Sequence, residues 1–152
     1  MRLQYKHQGF QQDAARAVVE VFRGQPLQDA FAYRMDVGKG VLDLEIQGFR
    51  NHDLVLSDDV LTQNIRQVQI SQDLQPIDRV LRDANGTLAL SIEMETGTGK
   101  TYTYIKTMYE LYKHYGWTKY IIVVPSVAIR EGVLKSLDTM ADHFAEEYGE
   151  RM

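Results

Sequence analysis

The sequence predicts an α/β fold, a parallel sheet flanked by helices and built around a turn suited to holding phosphate. Three observations predict it. First, Met94-Glu95-Thr96-Gly97-Thr98-Gly99-Lys100-Thr101 stands between an alternating apolar run, Leu88-Ala89-Leu90-Ser91-Ile92, and a helix-patterned segment from Tyr102 to Tyr115. Second, Tyr120-Ile121-Ile122-Val123-Val124 is apolar at consecutive positions, as in a strand buried on both faces. Third, strand, helix, strand, helix at this spacing implies a right-handed βαβ unit, which puts both strands in one parallel sheet.

The bulk properties bound the rest. A chain of 152 residues can build one domain with a proper core. The net charge of −4 does not mark a nucleic-acid binder, so any such contact needs a local patch. With no cysteine there are no disulfides and no cysteine-ligated zinc, which suits a reducing cytoplasm. The longest aliphatic run, Ile121 to Val124, is too short to cross a bilayer, and the start, Met1-Arg2-Leu3-Gln4-Tyr5-Lys6, lacks the apolar core of a secretory signal. The expectation is a cytoplasmic domain with no membrane partner.

In chain order, Phe10, Ala14, Ala17, Val18 and Val21 form a helical stripe that Gly24 and Pro26 end. Gln11 stands at the head of this helix. A glutamine there could pair with the donor and acceptor edge of adenine, because its amide offers both functions; taken alone it reads sooner as a solvated helix start, and the glycine turn downstream is what favours adenine. Residues 27–86 carry weaker patterns. Within them, Val37-Gly38-Lys39-Gly40 predicts a hairpin turn, followed by a strand over Val41 to Ile46. Asp43 and Glu45 on that strand resemble nuclease carboxylates, but alternation alone puts two acids on a wet face and no Glu-x-Lys follows. Ser57 predicts the cap of a helix from Asp58 to about Gln69, with Leu61, Ile65 and Val68 inward. A short helix around Pro76 to Asp83 would bury Ile77, Val80 and Leu81, and Asn85-Gly86 turns the chain into the next strand.

Residues 87–152 form the core unit. After the glycine turn, Ile105, Met108, Tyr109 and Tyr112 share a helical face, with Lys106 and Glu110 expected to pair on the wet side. Gly116 stops that helix. A strand over Trp117 to Val124 follows, Pro125-Ser126 breaks it, and a final helix from about Val127 to Glu147 carries Val133, Leu137, Met140 and Phe144 in register. His7, His52, His114 and His143 lie far apart and suggest no metal site.

The chemistry centres on Thr96 to Thr101. Gly97 and Gly99 permit backbone angles closed to other residues, so successive N–H groups can converge on one anion. Lys100 supplies a point positive charge for the β- and γ-phosphates. The Thr101 hydroxyl is placed to ligate Mg²⁺, and the following helix aims the positive end of its dipole at the phosphates. A Gly-x-Gly-Lys-[Ser/Thr] match arises by chance in roughly one chain in a few hundred of this size. The general phosphate-loop pattern has glycine where Met94 stands, and a dinucleotide turn would need a third glycine at Tyr102. An ordinary glycine turn is the plain alternative.

Taken together, Gln11 before an Ala-rich helix, the loop Thr96 to Thr101, and Ile121-Ile122-Val123-Val124-Pro125-Ser126 resemble a superfamily-two helicase motor. The wording from Met94 to Tyr104, Val124 to Gly132 and Asn64 to Gln69 more narrowly resembles the restriction (Res) subunit of type III restriction-modification enzymes, from about residue 4 to the end. The resemblance implies a P-loop NTPase (RecA-like) fold, here an incomplete first motor domain with a small inserted hairpin and helix. It also implies an ATP-dependent translocase on double-stranded DNA, coupled to an endonuclease and working with a site-recognising Mod methyltransferase subunit. By position, Gln11 matches the adenine-reading glutamine, Thr96, Gly97, Thr98, Gly99, Lys100 and Thr101 the ATP phosphate loop with Thr101 on Mg²⁺, and Pro125 and Ser126 the motif touching the DNA backbone. Arg130 could assist there or pair with a neighbouring acid.

Two departures qualify this. The gap between Gln11 and the loop is longer than in most helicases, although type III subunits are similar in carrying an insertion there. The resemblance starts near residue 4, so Met1 reads as a natural start; no Asp-Glu-x-His motif and no second motor domain follow, so the chain reads as the opening part of a motor, with no catalytic residue set complete in it. The expectation is weak ATP binding without turnover. The alternatives are a fragment of another DNA or RNA helicase, or an inactive product acting only as a binding module.

Overall fold

The computed structural model describes residues 8–27, 34–36 and 48–149. Helix α1, Gly9–Val21, packs against two others, α2 (Asp58–Ser71) and α3 (Lys100–Tyr115), and α4 (Val127–Tyr148) packs on α3. The backbone also forms a short antiparallel pair, β1 (Arg34–Asp36) with β2 (Gly48–Arg50), in which Met35 stands opposite Phe49. The expected turn at 37–40 and strand at 41–46, with Asp43 and Glu45, lie outside the described residues, as does His7.

Each helix begins and ends for a local reason. Ser57 accepts a hydrogen bond from the Val60 N–H, and Asp58 and Asp59 occupy the positive first turn of α2. Ser126 caps α4 in the same way, through the Ile129 N–H. Helices α3 and α4 stop at Gly116 (φ +72°) and Gly149 (φ +76°), left-handed positions that suit glycine. Helix α1 departs from the sequence expectation in its buried face. Its buried face carries Gln11, Ala15, Val19 and Val21, whereas Phe10 is 48% exposed. The inward side is therefore rotated from the Phe10-Ala14-Ala17 stripe, because α1 is covered by both α2 and α3.

Helix α2 and the segment after it share a core with α1. Leu61, Ile65 and Val80 bury against Val21, with Phe22, Val68 and Ile77 around them. The buried Asn64 amide donates to the carbonyls of Val21 and Arg23, closing the last turn of α1. Gln25, also buried, donates to the Asp53 carbonyl and accepts from the Val55 N–H, tying the chain after α1 to the approach to α2. No helix forms over 76–83. That segment is held instead by the Val80 N–H on Thr62, the Ile77 N–H on Gln69, and Arg82, which donates to Asp58 and to the Gly86 carbonyl. Ile77 and Val80 turn inward as expected, but Leu81 is 69% exposed. The hydrogen bond from the Arg82 guanidinium, reinforced by its charge, holds the Asp58 carboxyl below the usual carboxylate range.

The expected parallel sheet is not formed among the described residues. Residues 88–94 and 118–124 carry no ladder, and the only bridge near them joins Arg82 to Leu88. Ile121 and Val123 are 91% and 88% exposed. Both stretches instead line one groove over α3, of about 470 Å³, with Ile92 and Met94 from the first and Ile121 to Val123 from the second. An apolar pattern marks a chain as ready for a sheet, but a ladder needs a neighbour at about 4.8 Å, and here the two stretches share a groove without pairing. Part of the second is anchored by Asn51, which directly follows β2. The Asn51 amide accepts from the Thr118 and Lys119 N–H groups and donates to the Lys119 carbonyl, doing with a side chain what a strand edge would do.

Helix α4 meets α3 through rings. Phe144, 1% exposed, stacks on Tyr109 with centroids 5.1 Å apart and lies 5.1 Å from Tyr102. Lys106 departs from its expected place on the wet side. It is 3% exposed, ion-paired with Glu147 of α4, and lies 5.4 Å from the Tyr148 ring centroid. Glu110 takes the Tyr148 hydroxyl at 2.6 Å rather than Lys106. The helix pattern alone shows which residues are neighbours on α3; α4, arriving from 41 residues away, decides which of them are covered.

This interface should fail in alkali. Burial, helped by the nearby Glu147 charge, pushes the Tyr102 hydroxyl up to about 12, and burial and the bond to Glu110 push Tyr148 upward too. A phenol with a raised folded value leaves stability intact below its unfolded value near 10 and loses it as pH climbs towards the folded one. We expect the melting temperature to hold up to about pH 10 and to fall between 10 and 12. A melting temperature unchanged to pH 12 would contradict this account of the α3–α4 contact.

Candidate nucleotide-binding site

The site is built from the loop and the start of α3. Thr98 donates its hydroxyl to the Glu95 carbonyl at 2.7 Å, which tightens the turn entering the loop. Gly97 (φ +82°) and Gly99 (φ +85°) then reverse the backbone through left-handed angles. Gly99 is the N-cap of α3. Having no side chain, it leaves the first N–H groups of that helix without a side-chain cap. The first turn of α3 also carries no acidic residue, so nothing there competes with an incoming anion for the helix dipole.

The sequence-predicted residues gather here. Lys100 is exposed and heads α3, where it also lines the groove; Thr101 follows, half-buried. Gln11, 9% exposed, reaches the loop from the first turn of α1 and donates its amide to the Thr98 carbonyl at 2.8 Å. A Cβ added at Gly97 would meet nothing within 4 Å, whereas one at Gly99 would lie 2.4 Å from the Gln11 amide nitrogen. The loop is thus open on its Gly97 side and closed on its Gly99 side. Open space beside uncapped N–H groups, a lysine and a hydroxyl at the helix start form a donor set that fits a triphosphate with Mg²⁺.

Pro125, Ser126 and Arg130 stand at the start of α4, apart from the loop in sequence but reached by the chain that lines the same groove. The Ser126 hydroxyl accepts the cap bond, which leaves its hydrogen to donate. Arg130 pairs with Glu131 at 2.9 Å, both more than half exposed, so solvent screens the pair and it is easily opened. Among the described residues no group of three or more His, Cys, Asp or Glu is placed to hold a metal ion. No helix among them is long and apolar enough to cross a membrane. Sequence reasoning missed the anchors Asn51, Asn64 and Gln25 and the buried Lys106. Each is polar and held by partners distant in sequence, and hydropathy gives no signal for such residues.

A glycine loop that caps a helix beginning Lys-Thr is the arrangement of a P-loop protein. The chain belongs to the family of the type III restriction enzyme Res subunit, whose sequence model matches residues 10–151. It is 39% identical over 102 residues to the type III restriction-modification enzyme EcoPI Res subunit of Escherichia phage P1, a match covering 64% of this chain and 10% of that protein. The EcoP15I Res subunit of Escherichia coli is 38% identical over 100 residues, with the same two shares. The StyLTI Res subunit of Salmonella typhimurium is 46% identical over 61 residues, or 39% of this chain and 6% of its own length. The chain thus spans about a tenth of the length of the first two relatives it matches.

Proposed function

We propose that this chain is the ATP-binding part of a DNA translocase motor of a type III restriction endonuclease, with ATP and Mg²⁺ held at the loop. The carrying observation is the local geometry: two left-handed glycines leading into an uncapped helix headed by Lys100 and Thr101. Thr96 to Thr101 would wrap the phosphates, Lys100 would neutralise the outer ones, and Thr101 would hold the metal. When bound, Mg²⁺ supplies charge neutralisation between the outer phosphates. Gln11 belongs to the same site. Pro125, Ser126 and Arg130 are assigned to the DNA backbone, which a hydroxyl and N–H groups at a helix start can hold without reading bases. Residues 27–86 are assigned as an insertion and 87–152 as the P-loop unit. Double-stranded DNA, a Mod methyltransferase subunit and a cytoplasmic setting belong to the same proposal, and the family membership supports them.

The test is Lys100→Ala, read as Mg²⁺–ATP affinity by calorimetry. The substitution is expected to weaken binding at least tenfold, since a charge-assisted contact to phosphate is worth about 1.5–3 kcal/mol, and to leave the melting temperature unchanged because Lys100 is exposed. Equal affinity in the two proteins would remove the nucleotide-site reading. A second reading, a module that works only by binding another polypeptide, draws on the exposure of Ile121 and Val123. It predicts no ATP binding by either protein.

A further inference from the structure

We infer that Gln11 is a positioning residue of the phosphate loop, whose amide sets the direction of the peptide between Thr98 and Gly99; this rests on the nucleotide-site reading and assigns Gln11 a task independent of the base. The Gln11 amide nitrogen donates to the Thr98 carbonyl at 2.8 Å, and the side chain is nearly covered. The peptide is trans, as all are among the described residues, so its carbonyl and its N–H point in opposite directions. Holding the Thr98 carbonyl against α1 therefore turns the Gly99 N–H away from α1. That leaves it available to an anion together with the uncapped N–H groups at the start of α3.

The packing agrees. The Gln11 nitrogen sits 2.4 Å from where a Cβ of residue 99 would be, a place it can take only because residue 99 is glycine. Gln11 is also fixed from behind, since it lies on the buried face of α1 with Ala15 and Val19. The bond to the loop spends one of the two amide hydrogens; the other hydrogen and the amide oxygen remain, so holding the loop is a task separate from any pairing with a base.

The experiment measures binding of three probes, each with Mg²⁺, to the unaltered chain, Gln11→Met and Gln11→Ala. The probes are ATP, GTP and inorganic tripolyphosphate, which has the phosphates and no base. Methionine keeps the length and volume but has no donor, so it isolates the hydrogen bond. Both variants are expected to weaken all three probes by the same factor, about threefold to tenfold, the range for loss of one ordinary hydrogen bond. The melting temperature of Gln11→Met is expected to stay within a few degrees, whereas a merely structural role would lower melting and leave the affinity of the folded chain unchanged. Loss confined to ATP, with GTP and tripolyphosphate unaffected, would overturn the proposal in favour of base reading, and so would unchanged affinity for all three. If the unaltered chain and Lys100→Ala bind every probe alike, the nucleotide site itself is wrong, and that failure is distinguishable from failure of the Gln11 role.

Discussion

Replacing Phe144 with alanine is expected to lower stability by about 3–5 kcal/mol, the range for removing a fully buried ring. Phe144 is 1% exposed, and it is the one buried residue of α4, a helix otherwise attached to α3 by half-buried side chains and the Lys106–Glu147 pair. Its ring lies 5.1 Å from both Tyr102 and Tyr109 and 6.2 Å from Tyr148, so alanine leaves a hole between three aromatic side chains that cannot all close on it. For a chain of this size each kcal/mol moves melting by about 2–4 °C, so the midpoint should fall by roughly 10 °C. Leu137→Ala, at a half-buried position on the same face, is expected to lose less than half as much. The loss should also reach the loop. Tyr102 is two residues past Lys100, and its hydroxyl meets His143 of α4 at 3.0 Å, so α4 steadies the first turn of α3. A thermal melt that moves by less than 2 °C would show that α4 is not seated by this ring.

How much of this was legible in the sequence depends on where each residue's partner lies. Ser57, Gly116 and the run Leu61, Ile65, Val68 were readable because a cap, a left-handed stop and a helical face are satisfied within a few residues of themselves. The turn into α3 was readable for the same reason, since the left-handed angles of Gly97 and Gly99 and the helix start at Lys100 are local properties. The buried side of α1 was misread because hydropathy cannot place a glutamine inside. Gln11 is covered only because the Thr98 carbonyl, 87 residues away, meets its amide. Lys106 was misread in the same way, its partner Glu147 lying 41 residues on. The two apolar stretches before the loop and before Pro125 were recognised as strand-like, yet pairing is a property of two segments, and alternation in one says nothing of its neighbour.

Gly99→Ala is expected to weaken the chain by about 2–3 kcal/mol and Mg²⁺–ATP binding by well over tenfold, and the effect should split into two parts. One is backbone strain: at φ +85° a residue with a Cβ loses about 1–2 kcal/mol. The other is displacement. The Gln11 amide nitrogen lies 2.4 Å from the new Cβ and is the end of a flexible side chain, so it swings aside and the bond to Thr98 is lost, about 0.5–1.5 kcal/mol. Gly97 isolates the first part. It has nearly the same angle, φ +82°, but its Cβ would meet nothing within 4 Å, so Gly97→Ala should show strain alone. In a Gln11→Ala background the bond is already absent, and Gly99→Ala should then lose only about what Gly97→Ala loses, a coupling of about 1 kcal/mol between positions 11 and 99. Denaturant melts of the four proteins measure that coupling. Equal penalties for Gly97→Ala and Gly99→Ala, with additive effects of Gln11→Ala, would mean that Gln11 only lies near the loop and does not hold it.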